Sequence, residues 1–408
     1  MNLTLQHSTV ISGQAIKITG SKSETNRLLL LQALYPNLAL ENTSNSDDSE
    51  VMVKALNSMS ETVDIHHAGT AMRFLTAYFA IQEGEEIVLT GSTRMKERPI
   101  KILVDALRQL GAEIAYEDNE GYPPIRIKGK KLTQNQVSLA ANVSSQYISA
   151  LLLIAPKLEN GLELTLEGEI TSVPYIKMTL GLLNGIGIET SFVENKIIVK
   201  PQSNINNPQF TIESDWSSAS YFYSIIALSE IGTQITLSSY KKDSFQGDSV
   251  LAEIYRDFGV ETIYNDNCIR LQKTAGRQKS TVNYHLNNSP DIAQTIAVSC
   301  FGLGIGCHLT GLHTLKIKET DRLLALQHEL EKLGAKISIT NDSLTLEPSQ
   351  AIRGGISIKT YQDHRMAMAF APLALKTNVM IEEAEVVSKS YPAFWDDLKS
   401  IGFKLLNC

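Results

Sequence analysis

The sequence predicts an α/β protein of two similar domains, each built from three repeated units and with most of its helices buried. Three observations carry this expectation. A helix ending in an apolar residue and Gly, with a strand following at once, recurs at Ala106–Ile114, Leu182–Thr190, Ile254–Thr262, Leu330–Ile337 and Leu398–Leu405. Gly just past a helix C-terminus takes the left-handed conformation without steric cost. The copies stand about 50–75 residues apart, longer than solenoid repeats, so each is a βαβ-type unit. Finally, Tyr147–Ala155 and Met366–Leu375 are apolar on all sides, as buried helices are.

The chain has 408 residues, a formal charge of −7, 43% hydrophobic and 20% charged residues, the profile of a globular protein. A net acidic balance argues against a nucleic-acid partner and makes any basic cluster a local feature. No apolar run reaches membrane-spanning length, and no charged-then-apolar leader opens the sequence, so a cytoplasmic protein is expected. Cys268, Cys300, Cys307 and Cys408 show neither CxxC nor ligand spacing, which points to structural thiols and no metal.

Met1–Gly13 reads as the start of a strand. Lys22-Ser-Glu-Thr-Asn-Arg27 precedes Leu28–Leu31, Gly69-Thr-Ala-Met-Arg73 precedes Phe74 and Leu75, and Asp363-His-Arg365 precedes Met366–Phe370. Each puts cations at the start of an apolar helical run, where unpaired N–H groups and the positive end of the macrodipole disfavour them. An anion among those N–H groups reverses the sign, so three such segments in an acidic chain point to small polyanionic substrates. A weaker helix copy without Gly is expected at Val53–Met59.

A strand ends at Thr90, Gly91 turns, and Arg94, Lys96 and Arg98 follow, with Pro99 placed to open the next helix. Val143-Ser-Ser-Gln-Tyr147 offers two hydroxyls and an amide ahead of Ile148–Ala155, one Ser serving as helix cap. Asp215 and the serines after Trp216 cap the following helix, and the domain boundary is expected near Glu213–Asp215. Asn288-Ser-Pro-Asp291 places a carboxylate at the head of an apolar helix, either as a dipole-friendly residue or as a general base. In Lys316-Ile-Lys-Glu-Thr-Asp-Arg322, Lys318 and Arg322 are expected on one helical face, with Glu319 and Asp321 neutralising neighbours. Lys336–Thr340 and Ser343–Leu346 flank Asn341-Asp342 as a hairpin. Lys389-Ser-Tyr-Pro392 follows the strand-like pair Val386-Val387.

Taken in order, GSKSETNR, AGTAMR, LTGSTRMKERPI, SSQY, SVPYIKMTL, DWSSAS, PDIAQTIA, KIKETDRL, QDHRMAMAFAPLAL and VSKSYPAFW resemble the enolpyruvyl transferases from Gly20 to Trp395. The resemblance implies two domains of three βαβαββ units each, residues 1–20 with 214–408 and residues 21–213, with the active site in the inter-domain cleft. It implies transfer of the enolpyruvyl group of phosphoenolpyruvate to the 5-hydroxyl of shikimate 3-phosphate, through a tetrahedral intermediate, with release of phosphate. Neither a metal nor an organic cofactor is implied, and the family is usually monomeric.

By the same resemblance, Lys22, Ser23, Arg27, Ser144, Ser145, Gln146, Ser172, Tyr175, Asp291 and Lys318 bind shikimate 3-phosphate. Lys22, Gly69, Arg98, Gln146, Arg322, Arg365 and Lys389 bind phosphoenolpyruvate. Asp291 takes the hydroxyl proton, and Glu319 handles the proton at the methylene carbon with Lys22 and His364 assisting. Arg73 is a supporting cation. His67 and Phe74 stand where Asn and Pro are usual, and Thr314 where Asn contacts the shikimate. Two other readings remain: the transferase acting on UDP-N-acetylglucosamine, whose donor-side Cys is missing from Leu89–Ile100, and a non-catalytic phosphometabolite binder.

Overall fold

The computed structural model describes residues 1–140, 144–168, 170, 173–205, 209–276, 278–349 and 351–407. The chain divides into a continuous unit, Gly20–Ile212, and a discontinuous one, Met1–Thr19 with Glu213–Cys408.

One pattern recurs in the four-stranded sheets of both units. In the continuous unit, Thr62–Asp64 pairs parallel with Glu86–Thr90, which pairs antiparallel with Ile125–Lys128, itself antiparallel to Glu113–Tyr116. Gln136–Ala140, Leu162–Glu167, Lys196–Val199 and Thr190–Val193 repeat that order. The first pair runs parallel because a helix crosses over between its strands, and the last two strands are a hairpin. The third sheet of this unit is a parallel pair, Ala39–Glu41 with Gln209–Thr211.

The discontinuous unit has three four-stranded sheets among its described residues. Thr281–His285, Gly306–Thr310, Ser343–Leu346 and Ile337–Ile339 follow the pattern within one stretch of chain. The other two borrow a strand from the N-terminus. Gln14–Ile16 lies parallel to Gln234–Ser238, and Leu3–Gln6 sits between Val379–Ile381 and Lys404–Asn407. The Gly residues expected after helices, 111, 187, 259, 334 and 402, have φ of 104°, 91°, 76°, 100° and 103°. That left-handed turn drops the chain from helix into strand.

Each unit has its own apolar core. The helix Trp216–Leu228 is buried at every residue but Ser217, so its hydroxyls must bond internally. Ser224 Oγ accepts from Ser299 Oγ at 2.8 Å, and Tyr255 and Ser299 hydroxyls lie 2.8 Å apart. The helices Ala293–Leu303 and His364–Phe370 are nearly as enclosed. Their counterparts in the continuous unit are Lys22–Leu34, Gly69–Ala80, Ser145–Ile154 and Val173–Gly185.

Several local expectations need correction. Lys318 and Arg322 do not share a helix: Lys318 follows a 3₁₀ turn at His313–Ile317, and the helix begins at Arg322. Asp321 caps it, its Oδ1 accepting from Leu324 N at 3.1 Å, so a cap residue interrupts the charge run. Val386 and Val387 are not in a strand but in a 3₁₀ helix, Ala384–Lys389, where both are buried. Pro99 does not open its helix, which runs from Lys101 to Gln109 with Ile100 as cap; a short helix, Thr93–Lys96, precedes it and carries Arg94 and Lys96. The apolar run after Met366 leaves α-geometry at Phe370, ahead of Pro372, and continues as a 3₁₀ segment.

Candidate active site

In the discontinuous unit the candidate site residues gather on Arg322, the first residue of its helix and only 2% exposed. Its three nitrogens each meet a carboxylate. Nε donates to Asp363 Oδ2 at 2.6 Å, Nη1 to Asp291 Oδ1 at 2.8 Å and Nη2 to Glu319 Oε2 at 2.7 Å. Burial alone would lower the Arg322 pKa, but the Asp363, Glu319 and Asp291 charges outweigh it and hold it above the ordinary value.

Asp291 is the middle residue of a short 3₁₀ turn, Pro290–Ile292, that leads into the helix Ala293–Leu303. Besides Arg322, its carboxylate has Lys318 Nζ at 3.5 Å and Arg365 Nη2 at 3.6 Å. Arg365 is the second residue of the helix His364–Phe370, capped by Asp363, whose Oδ1 accepts from Arg365 N at 2.8 Å. Its Nη1 donates to Asp291 O and its Nη2 to Ser217 Oγ, both at 3.3 Å, while Nε has no hydrogen-bond partner among the described residues. Burial opposes the Arg365 charge, yet Asp291, Tyr221, Asp248 and Asp215 keep its pKa well above the usual value.

Behind Arg365, Ser217 Oγ donates to Asp248 Oδ2. Burial, reinforced by the Asp291 charge, pushes the Asp248 carboxyl up to about 6. His364 is buried, with Nδ1 4.0 Å from Asp363 Oδ1. Lys389 Nζ donates to Gln362 O at 2.8 Å. Thr314 Oγ1 is buried without a hydrogen-bond partner among the described residues.

In the continuous unit Lys22 opens the helix Lys22–Leu34 and pairs with Asp48, Nζ to Oδ2 at 3.3 Å. Ser23 follows it, half-buried. Arg27 lies a full turn and more inside that helix and is 3% exposed. It donates to Thr179 Oγ1 at 2.8 Å, Ser149 Oγ at 3.0 Å and Ser23 O at 2.7 Å, between the Phe74 and Tyr175 rings at 5.4 and 6.0 Å. Burial lowers its pKa to about 10. Arg27 thus ties three helices together.

Arg73 plays a similar internal part. Nη1 bonds Gly69 O at 3.2 Å and Nη2 bonds Pro99 O at 3.1 Å, with the Tyr147 ring 5.9 Å away. Arg98, in contrast, is half-buried beside Gly69. Ser144 is the cap of the helix Ser145–Ile154, its Oγ accepting from Gln146 N at 3.4 Å; Ser145 is buried. Gln146 Nε2 donates to Thr70 Oγ1 at 3.1 Å, which links the second residue of that helix to the first turn of Gly69–Ala80. Tyr175 sits in the first turn of Val173–Gly185. Ser172 lies outside the described residues.

This chemistry is that of paired acids on cations. Among the described residues no group of three or more His, Cys, Asp or Glu could hold a metal ion. A family model described as EPSP synthase (3-phosphoshikimate 1-carboxyvinyltransferase) matches residues 60–398. The chain belongs to the EPSP synthase family. A 3-phosphoshikimate 1-carboxyvinyltransferase of Bacteroides fragilis is 48% identical over 393 residues, 95% of each chain. One from Pasteurella multocida is 36% identical, covering 97% of this chain and 96% of that one. An EPSP synthase structure from Acinetobacter baumannii superposes with a TM-score of 0.82 at 19% identity, both chains fully covered. The enolpyruvyl transferase NikO of Streptomyces tendae gives 0.75 at 13%, over 99% of this chain and 98% of that one. These two likenesses bear on the fold, which is the family's two-domain α/β architecture.

Sequence reading missed Asp363 as the third carboxylate on Arg322, Asp48 as the partner of Lys22, and the Ser217–Asp248 pair behind Arg365. Asp363 had a legible signal, since Asp before a helical run is a cap. Asp248, in a short 3₁₀ turn at Gly247–Val250, had none.

Proposed function

We propose that this chain transfers the enolpyruvyl group of phosphoenolpyruvate to the 5-hydroxyl of shikimate 3-phosphate, the 3-phosphoshikimate 1-carboxyvinyltransferase reaction on the route to chorismate and aromatic amino acids. The observation that carries the residue assignment is the placement of Asp291 and Glu319 on one buried guanidinium, Arg322. One carboxyl group is placed to accept the hydroxyl proton and the other to serve proton transfer at the methylene carbon. Both are fixed by the same fork, a geometry that lone carboxylates on flexible loops lack.

In the addition step Asp291 accepts the 5-hydroxyl proton as the oxygen bonds to C2 of phosphoenolpyruvate, and Glu319 protonates C3 with Lys22 and His364 assisting. A tetrahedral intermediate results. Breaking the C2–O bond to the phosphate then releases inorganic phosphate, which takes the proton held by Asp291, while C3 gives a proton back to Glu319 and the double bond is restored. The cations supply the other half of the chemistry, because bringing two polyanions together costs several kcal/mol unless positive charge cancels it. Lys22, Ser23, Arg27, Ser144, Ser145, Gln146, Ser172, Tyr175, Asp291 and Lys318 are assigned to shikimate 3-phosphate. Lys22, Gly69, Arg98, Gln146, Arg322, Arg365 and Lys389 are assigned to phosphoenolpyruvate. Arg27 acts chiefly by holding Ser23, given its internal bonds.

The reaction uses neither metal nor organic cofactor, and a cytoplasmic monomer is the expected form. No helix among the described residues is long and apolar enough to cross a membrane. The test is phosphate release from purified protein mixed with both substrates, repeated with each omitted. Release that needs both supports the reading; release with UDP-N-acetylglucosamine instead of shikimate 3-phosphate replaces it with the amino-sugar reaction.

A further inference from the structure

The segment that delivers Asp363 and Arg365 is held in an unfavourable conformation. Tyr361 and Gln362, neither of them Gly, both lie in the left-handed region, with φ of 55° and 56°. Two such residues in succession persist only where the surroundings over-determine them. The chain regains ordinary geometry at Asp363, whose N–H donates to Thr360 O at 2.9 Å.

Glu329 supplies the restraint. It sits on the helix Arg322–Lys332, about two turns beyond Arg322 and on the same side. Its carboxylate is 1% exposed. Oε2 accepts from Lys359 N at 3.0 Å and Oε1 from the Tyr361 hydroxyl at 2.8 Å, while Lys332 on the next turn pairs with Oε2. The Lys332 ammonium also donates to Ser357 O at 2.7 Å. One helix therefore grips the 357–363 segment twice: through Glu329 with Lys332 before the strained pair, and through Arg322 on Asp363 after it.

We propose that Glu329 is a positioning residue for the phosphoenolpyruvate side of the site. Its bonds to Tyr361 and Lys359 hold the left-handed pair in place, so that Asp363 meets Arg322 and Arg365, in the first turn of its helix, faces Asp291. Glu329 touches no reacting atom in this role. A carboxylate suits it because two donors and an ammonium converge on one buried side chain, and Gln could accept from only part of that set. The inference rests on the assignment of Arg322 and Arg365 to phosphoenolpyruvate, whereas hydrogen exchange reports the clamp whatever the substrate.

The experiment uses the whole protein with Tyr361→Phe, Glu329→Gln and the double variant. Amide hydrogen exchange at residues 363–366 is measured alongside KM for each substrate. Tyr361→Phe is expected to speed exchange at these amides about fivefold or more, local opening being what exchange reports. It is expected to raise KM for phosphoenolpyruvate about five- to tenfold while KM for shikimate 3-phosphate stays within about twofold. The double variant should be little worse than Glu329→Gln, because both changes break one contact. Unchanged exchange at 363–366 overturns the clamp, and so does an equal rise in both KM values. A wild-type protein that releases no phosphate from the two substrates defeats the functional reading instead, and exchange in the variants then decides the clamp alone.

Discussion

Gly69 stands against the guanidinium of Arg98: a Cβ built on it would lie 2.5 Å from Nη1 and 2.9 Å from Nη2. No real Cβ contact is that short, and the obstacle is the end of a flexible side chain, so Arg98 would move while the helix Gly69–Ala80 stays. Gly69→Ala is therefore expected to fold normally, with a melting temperature within about 2 °C of the parent. KM for phosphoenolpyruvate should rise about tenfold or more, as for a displaced guanidinium fork, with KM for shikimate 3-phosphate nearly constant. Steady-state kinetics with each substrate varied in turn checks this. Equal changes in both KM values would place Arg98 elsewhere in the reaction.

Asp291 faces three cations and is 11% exposed, so charge and proton transfer in its proposed role are separable by substitution. Asp291→Asn keeps the shape and an acceptor toward Arg322 but cannot take a proton. Turnover should fall by about 10²–10⁴, the usual worth of a positioned base, with binding of shikimate 3-phosphate retained. Calorimetric titration with shikimate 3-phosphate, beside a phosphate-release assay, separates the two. Retained turnover would remove Asp291 from the base role.

The two kinds of site residue were unequally legible in the sequence. Gly111, Gly187, Gly259, Gly334 and Gly402 mark helix ends because the αL turn is a local demand, and local demands leave local signals. Ser144 and Asp215 announced their helices for the same reason. Asp363 reaches Arg322 across 41 positions, and only the fold decides that pairing. The spacing of Lys318 and Arg322 suits one helical face, but the capping preference of Asp321 starts a new helix between them. Arg27 and Arg73 show a subtler limit. A cation early in an apolar helix does signal an unusual partner, but here hydroxyls, carbonyls and aromatic faces supply much of it.

Arg322 also carries structure. Asp363 is wholly buried, and Arg322 Nε is the cation on its Oδ2. Arg322→Met leaves that carboxylate without its partner, and breaking a buried pair this way costs about 3–5 kcal/mol. Adding Asp363→Asn removes the stranded charge and keeps an oxygen to cap the helix His364–Phe370. The double variant should recover most of the lost stability in a denaturant titration yet show no turnover. If the single variant were as stable as the parent, Asp363 would have another source of compensation.

Lys273 offers a pH-dependent test away from the site. It ends the strand Cys268–Lys273, is 4% exposed, and donates to Ala227 O at 2.7 Å and Phe258 O at 2.6 Å. Both carbonyls belong to helix C-terminal turns, where a cation is welcome. Burial, with a smaller contribution from Lys376, nevertheless pushes its pKa down to about 8 from 10.5. Between those values the unfolded chain holds a proton that the folded protein has released, so this group makes stability rise with pH across that window. The full gap corresponds to about 3 kcal/mol, an upper figure because the two carbonyls favour the charged form. Lys273→Met deletes the titration and leaves the carbonyls without their donor, so it should be less stable throughout. The stability difference between parent and variant, taken from urea titrations at intervals from pH 7.5 to 10.5, should widen as pH rises. A constant difference would mean that the two helix ends keep Lys273 protonated in the folded protein over the whole range.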